Sequence, residues 1–530
     1  MDTFGSKPEE KGFETPQDPP TPDPRSQDPP SRGPASAERG PSRRQVVAGL
    51  MAAAVAAPGG TATASAPGGG ETKGRRHKTL PSTVDGSLRD LDPKNVYDAY
   101  RARGLDRWGD RELAQGVAGI VSKPGKTWTS FTLHAPLEIL ARTGLLPWVA
   151  PPDRELARMQ MVASGAVYEA GVVALPEPRA LAPFPDPEAA RRQLADVFRS
   201  GDEDGLEATV LAMARQFGSA ELVRSLTPAL LPSLTSASHA HIGLWLLLRH
   251  GAEGDPGDAS ILRAAARRLA ADPKGRLGSF GGMDLRGEGP LRKTPAQLEK
   301  EVLARLVDPP RGEARRRGIR PLMEAGEGTG NADRFFGDLV RRELTGGQMA
   351  AVFRACLRAS AHSMLQDDPS RAKFGWSHCL TLPQAACGLS SLGVDPKLGM
   401  ATTLVWLTAY RSILSRRTLD FGFRPKPLDS DRPSLREALH SGTAVAASRF
   451  WHADPAERPE MFRILASEAS IRNDQHLAKY TRACFDMCGF DPEHWRLYLA
   501  SAAKLCALWI LETPRGRIAD RFLDGRSTPS

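Results

Sequence analysis

Cysteine is absent from the first 355 residues of this 530-residue chain, and the six cysteines that follow include no Cys-x-x-Cys pair. Cys484 and Cys488 stand one helical turn apart, which is not the spacing of a zinc module or a redox motif. We therefore expect buried free thiols. A disulfide is the alternative if the protein is exported, and the sequence leaves its pairing open.

The motifs of several common enzyme classes are also missing. The chain has no Gly-x-Ser-x-Gly elbow, no His-Glu-x-x-His pair and no EF-hand loop. The glycine cluster at residues 326–330 follows no predicted strand and lacks the spacing of a dinucleotide or P-loop fingerprint. The net charge of +9 is scattered along the chain without a patch of basic and aromatic residues, so no nucleic-acid partner is predicted.

The N-terminal part of the chain divides into three segments. Residues 1–41 contain hardly any apolar side chains and are predicted to be disordered. Residues 42–70 combine the pair Arg43 and Arg44, a short apolar run at 48–57 and a small-x-small site at 64–66, which predicts a twin-arginine signal and export to the periplasm or the extracellular space. The alternative is an alanine-rich linker in a cytoplasmic protein. Residues 71–84 are predicted to be a linker, and the apolar run is shorter than the roughly 20 residues of a membrane span.

Residues 85–525 show helical periodicity almost throughout, which predicts an all-α fold. The expected helices include 136–143 and 383–392, each beginning at a proline, and 433–451. Residues 275–294 and 309–331 are rich in Gly and Arg and are expected to form an insertion or a lid, or to separate two helical halves near 275–331. The architecture is therefore one large multi-helix domain or two packed halves.

Four histidines stand near the starts of apolar helical runs: His134, His239, His378 and His476. A single histidine in such a place is more often a core residue than a catalyst, but the recurrence predicts that the fold brings the four imidazoles together. Asp474 is the expected N-cap of the helix that carries His476, and Lys479 lies one turn further on the same inward face. His241 cannot share a helical face with His239, two residues away.

Short elements around these histidines resemble the questin oxidase-like proteins over roughly residues 130–510. Family members carry Asn-His-Ala-Pro-Met, Thr-His-Gly, His-x-x-Thr-x-Pro-x-Ala and Asp-x-His-x-x-Lys-x-x-x-Ala-Cys elements in this order. The counterparts here are 133–137 (Leu-His-Ala-Pro-Leu), 238–240 (Ser-His-Ala), 378–385 (His-Cys-Leu-Thr-Leu-Pro-Gln-Ala) and 474–484 (Asp-Gln-His-Leu-Ala-Lys-Tyr-Thr-Arg-Ala-Cys). Ser238 and Ala240 depart from the second element, and Leu246 stands where a further histidine is expected.

The resemblance implies an all-α oxidoreductase that uses O₂ and NADPH for a Baeyer–Villiger-type oxidation of a polycyclic aromatic or quinone-like substrate. The four histidines would then act as general acid and base groups, and Lys479 would stabilise a developing oxyanion. Within the enzyme class, the alternative is that three or four imidazoles bind iron or another transition metal, assisted by Asp474 or Glu138. The rival from another class is an exported, non-catalytic helical ligand-binding protein. Cofactor-binding residues and oligomeric state stay open.

Overall fold

The structure, a computed structural model, describes residues 96–127, 130–231, 239–250, 260–271, 289–307, 339, 341–367, 369–390, 392, 396–415, 417–429 and 432–513. The predicted N-terminal extension, signal and linker lie outside these residues. So do the glycine cluster at 326–330 and most of both Gly/Arg-rich segments.

Seventeen α-helices occur in the described residues, and no strand does, which confirms the all-α class. In chain order they are α1 (Val96–Ala102), α2 (Asp110–Val121), α3 (Ser130–Leu145), α4 (Pro151–Gly171), α5 (Pro187–Ser200), α6 (Glu203–Leu230), α7 (His239–His250), α8 (Arg263–Ala271), α9 (Pro295–Val307), α10 (Gly346–Gln366), α11 (Pro369–Ser390), α12 (Pro396–Leu414), α13 (Leu435–Ser441), α14 (Thr443–Trp451), α15 (Arg458–Ile471), α16 (Gln475–Phe490) and α17 (Trp495–Glu512).

Several helices begin at the residues that their sequences indicate. Asp474 is the N-cap of α16, and its side chain accepts a hydrogen bond from the Leu477 N–H at 2.6 Å. Asp186 caps α5 in the same way, followed by a proline in the first turn. These side chains satisfy N–H groups that no intrahelical carbonyl can reach.

Two predicted helix starts are wrong, because Pro136 and Pro383 lie inside helices that begin earlier. Helix α3 begins at Ser130 and α11 at Pro369, so His134 and His378 belong to helical turns instead of preceding them. An internal proline removes one backbone N–H donor from its helix. At Pro383, the missing donor is the one that would reach the Cys379 carbonyl, four residues earlier. In α11 the Ser360 hydroxyl, on α10, donates to that carbonyl at 2.7 Å. The neighbouring helix therefore supplies the bond that the proline cannot.

The predicted helix at 433–451 is two helices, α13 and α14. Gly442 separates them with φ at 130°, a backbone conformation that residues with a side chain rarely adopt. The sequence reading also missed α2, whose inward face carries Leu113, Val117 and Val121.

Four helices enclose the centre of the fold. Helices α3, α7, α11 and α16 pack in a ring, in which α3 contacts α7 and α16, and α11 contacts the same two helices. The described helices belong to one compact unit within residues 42–530. Because the four predicted histidines are distributed one to each helix of this ring, the packing determines whether they meet.

Helix α17 packs against α14, α16 and α10, and almost all of its side chains are buried, as its apolar sequence predicts. Among the helices that the structure describes, none is both long enough and apolar enough to cross a membrane. The six cysteines are free and buried, as expected.

Three buried cationic side chains bind carbonyl groups at the C-terminal ends of other helices. Arg142 does so at the end of α15, Arg411 at the end of α9 and Lys504 at the end of α10. The last carbonyls of a helix have no intrahelical partner and carry partial negative charge, so a buried cation is stabilised there. These contacts connect helices that are distant in sequence.

Candidate functional site

The site begins with one imidazole from each helix of the ring. His134 lies in the second turn of α3, His239 is the first residue of α7, His378 lies in the middle of α11 and His476 is the second residue of α16. All four side chains are buried. The imidazoles come from four different helices, so tertiary packing and not local sequence brings them together.

The four Nε2 atoms form a connected chain. His134 Nε2 lies 2.9 Å from His476 Nε2 and 2.9 Å from His239 Nε2, and His239 Nε2 lies 3.3 Å from His378 Nε2. The rings of His378 and His476 are also adjacent, with centroids 5.1 Å apart. The nitrogen ligand atoms of His134, His378 and His476 all lie within 4.8 Å of one another. The described residues therefore contain a compact four-histidine cluster.

Hydrogen bonds alone cannot account for this arrangement. An imidazole Nε2 carries either one hydrogen or one lone pair, so it can form only one good hydrogen bond. His134 Nε2 and His239 Nε2 each have two Nε2 neighbours at hydrogen-bonding distance. At most two of the three contacts can then be hydrogen bonds. A cation between the rings would instead use the lone pairs of all the nitrogens.

The spacing of the nitrogens suits a metal ion. With metal–nitrogen bonds of about 2.0–2.1 Å and ligand angles of about 90–110°, neighbouring nitrogens lie roughly 2.9–3.4 Å apart. The separations of 2.9, 2.9 and 3.3 Å between successive Nε2 atoms of the cluster fall in this range. Imidazole suits iron, zinc, copper and nickel, whereas magnesium and calcium prefer oxygen ligands. His134, His378 and His476 could therefore hold a transition metal, with His239 Nε2 adjacent to the nitrogens of His134 and His378.

The electrostatic surroundings of His134 also suit a side chain that binds a metal ion. Burial, followed by the charge of Lys479 and the three neighbouring imidazoles, holds the pKa of His134 far below its usual value of 6.5. The ring is therefore neutral at physiological pH and keeps a lone pair. A general acid or base is most effective with a pKa near the working pH, so these surroundings favour metal binding by His134 over proton transfer.

Lys479 lies close to the cluster. Its side chain is buried, and its Nζ makes no hydrogen bond within the described residues. Burial lowers the pKa of Lys479 to about 7, against the opposing effects of Asp474 and Glu138. A substantial fraction of the amine is thus neutral near physiological pH.

The two carboxylates proposed to assist the histidines have other contacts as well. Asp474 Oδ2 lies 3.8 Å from His476 Nδ1, and burial raises the pKa of Asp474 to about 6. Glu138 Oε1 accepts hydrogen bonds from Arg142 Nε at 2.8 Å and from the Ser164 hydroxyl at 2.9 Å. Glu138 Oε2 is buried without a hydrogen bond in the described residues. Asp474 is therefore placed beside a histidine, and Glu138 is engaged mainly by Arg142 and Ser164.

His241 does not join the cluster, in agreement with its spacing from His239. Its Nε2 lies 3.3 Å from the Leu231 carbonyl oxygen on the neighbouring helix end. The Thr381 hydroxyl, one turn after His378, donates to the Ser377 carbonyl of the same helix at 3.0 Å. The structure thus separates the two imidazoles of residues 239–241.

The sequence reading missed the buried polar residues that surround the ring of helices. Arg142 was the easiest of these to predict from the sequence, because it stands four residues after Glu138 on an apolar helix, and this is the spacing of an intrahelical ion pair. Asp486 on α16 accepts hydrogen bonds from Gln384 at 2.8 Å and Arg482 at 2.5 Å. Nothing in the sequence pairs Gln384 with Asp486, which is 102 residues away.

The chain matches no protein-family model, no curated protein and no solved structure. The geometry of the site therefore carries the functional argument.

Proposed function

We propose that this protein is a transition-metal oxidoreductase whose metal, iron, is bound by three or four of the imidazoles of His134, His239, His378 and His476. The observation that carries the proposal is that the nitrogen ligand atoms of His134, His378 and His476 lie within 4.8 Å of one another, with His239 Nε2 2.9 Å from His134 Nε2 and 3.3 Å from His378 Nε2. This geometry favours the metal-dependent alternative over acid–base chemistry by the same imidazoles. The resemblance to the questin oxidase-like proteins supports O₂ as the oxidant and a polycyclic aromatic or quinone-like substrate.

The protein residues would provide binding, orientation and exclusion of water. Four neutral imidazoles leave the positive charge of an ion uncompensated, which favours binding of an anionic group such as a phenolate. Lys479 lies close enough to affect the pKa of His134, and its amine would donate to an oxygen of the bound substrate. Bound iron would supply one-electron chemistry with O₂, which the side chains alone do not provide.

Substitution of one ligand and of its near neighbour tests the metal site. His239→Ala should weaken Co²⁺ or Fe²⁺ binding by more than about tenfold, whereas His241→Ala should leave it within about twofold, because His241 points to the Leu231 carbonyl. Metal content per chain and the affinity for Co²⁺ are measured after anaerobic loading. Circular dichroism checks that both variants retain their helices.

The oxidase activity needs a separate measurement. Iron-loaded protein is expected to consume O₂ in the presence of a polyhydroxylated anthraquinone and NADPH, which supplies the two electrons that reduce the second oxygen atom to water. Omission of NADPH, or the substitution His378→Ala, should abolish this consumption. Activity in protein shown to be free of metal would instead support acid–base catalysis by the histidines. Tight metal or ligand binding without any O₂ consumption would favour the non-catalytic binding protein.

A further inference from the structure

Arg142 makes a set of contacts that no other described side chain near the cluster makes. Its guanidinium is fully buried and pairs with Glu138, on the same helix as His134, through an Nε bond of 2.8 Å. Its other nitrogens donate to the carbonyls of Ala469 at 3.2 Å, Arg472 at 2.6 Å and Ser470.

These carbonyls belong to the end of α15 and to the turn that leads into α16. Only Asn473 and the N-cap Asp474 separate Arg472 from α16, whose second residue is His476. Gln160 of α4 contacts the same turn through Asn473 at 3.4 Å. Arg142 thus connects the helix that carries His134 to the segment that fixes the start of the helix that carries His476.

The distance between two metal ligands from different helices depends on how those helices are connected. His134 and His476 are 342 residues apart in the chain, and their Nε2 atoms lie 2.9 Å apart. Arg142 lies two turns along α3 from His134. The Arg472 carbonyl that it binds lies four residues before His476. A rigid guanidinium with several fixed donors suits this connection better than a flexible amine does.

We infer that Arg142, held by Glu138, is a positioning residue that sets the geometry of His476 relative to His134 at the metal site. The inference rests on the proposed function, since it describes the same four-histidine centre. Residues that hold metal ligands in place typically change metal affinity by about 10–100-fold when they are removed.

Arg411 provides a matched control. It is equally buried, and it also binds helix-end carbonyls, those of Leu306 at 2.7 Å and Val307 at 3.0 Å, together with the Ser363 hydroxyl. Arg142→Met and Arg411→Met therefore remove the same kind of buried helix-end contact. Arg142 lies on the helix that carries His134 and binds the turn before α16, whereas Arg411 lies on α12, which carries none of the four histidines.

The experiment compares the visible absorption spectrum and the affinity of bound Co²⁺ in wild type and in the variants Arg142→Met, Arg142→Lys and Arg411→Met. We expect Arg142→Met to weaken Co²⁺ binding by about 10–100-fold and to shift the spectrum, and Arg142→Lys to give an intermediate result. Arg411→Met should lower stability against urea but leave the spectrum unchanged. If Arg142→Met does not fold, Arg142→Lys still reports the shift.

The outcomes separate the two proposals. A wild-type protein that binds no Co²⁺ refutes the metal site itself. If wild type binds Co²⁺, an unchanged spectrum and affinity in both Arg142 variants overturn the positioning role alone. The same spectral shift in Arg411→Met would also overturn it, because the effect would then follow from any lost helix-end contact.

Discussion

Lys479 is an unusual residue for a protein interior, because a buried amine without a hydrogen bond is destabilising. Transferring such a group from water without a new partner costs about 1–3 kcal/mol. Lys479 makes no hydrogen bond within the described residues, although the carboxylates of Asp474 and Glu138 act on it electrostatically. A residue kept at such a cost is a candidate for function instead of stability.

Replacement of Lys479 by Met should therefore make the metal-free protein more stable by about 1 kcal/mol while reducing oxidase activity. Methionine fills a similar volume and has no polar group to desolvate. Urea unfolding of metal-free protein gives the stability, and O₂ consumption gives the activity.

Lys504 is the matched control for this prediction. It is also buried, but its Nζ donates to the carbonyls of Leu365 at 2.7 Å and Asp367 at 2.9 Å. Lys504→Met should destabilise the protein by about 2–3 kcal/mol, because two charge-assisted hydrogen bonds are lost and two carbonyls lose a donor. Equal destabilisation by both substitutions would show that Lys479 contributes to stability as Lys504 does.

Helix α11 illustrates how neighbouring elements compensate for a local defect. Pro383 leaves the Cys379 carbonyl without its helical donor, and the Ser360 hydroxyl of α10 donates to that carbonyl at 2.7 Å. The same hydroxyl lies 2.8 Å from the Cys356 carbonyl in its own helix. The hydrogen bond from Ser360 to Cys379 thus takes the place of the helical bond that Pro383 cannot make.

A double-mutant cycle tests this dependence. Ser360→Ala should destabilise the wild-type protein by about 1–2 kcal/mol, and by about 1 kcal/mol less in a Pro383→Ala background, where the new N–H of residue 383 can reach the Cys379 carbonyl. Urea unfolding of the four proteins gives the coupling energy. Additive effects of the two substitutions would mean that the hydroxyl does not replace the missing helical bond.

At the scale of elements, the sequence predicts helices better than it predicts their ends. Asp474 identifies the start of α16 because a capping side chain acts on N–H groups only two or three residues away. Pro136 and Pro383 led to wrong helix starts. A proline is compatible with a helix start, and also with a helix interior where another group replaces the missing backbone hydrogen bond. That replacement comes from another helix, so local sequence does not reveal it.

At the scale of the whole molecule, the sequence nominates the residues of the cluster but does not determine their distances. The four histidines share a setting near apolar helical runs, which is visible in the chain. Their contacts, in contrast, depend on which helices become neighbours, as in the 2.9 Å separation of His134 and His239 across 105 residues. Arg142 was missed for the same reason, because its carbonyl partners lie more than 300 residues away.

Buried histidines should also make the folded molecule sensitive to acid. Burial and the nearby Arg424 lower the pKa of His362 to about 4, so the folded protein binds fewer protons than the unfolded chain between about pH 4 and 6.5. The stability associated with a neutral His362 is therefore fully present above about pH 6.5 and is lost as the pH falls towards 4. His250, whose pKa burial also lowers well below 6.5, acts in the same direction.

His362→Gln isolates this effect from the metal site, because His362 contacts Gln366 and Phe421 and is not part of the histidine cluster. Glutamine does not titrate, so the stability of metal-free wild type relative to the variant should be constant above pH 7 and should fall by up to about 3 kcal/mol between pH 6.5 and 4. The measurement is urea unfolding at pH 8, 7, 6, 5 and 4. A difference that stays constant down to pH 4 would mean that His362 titrates alike in the folded and unfolded chains, because only a pKa difference between the two states couples folding to pH.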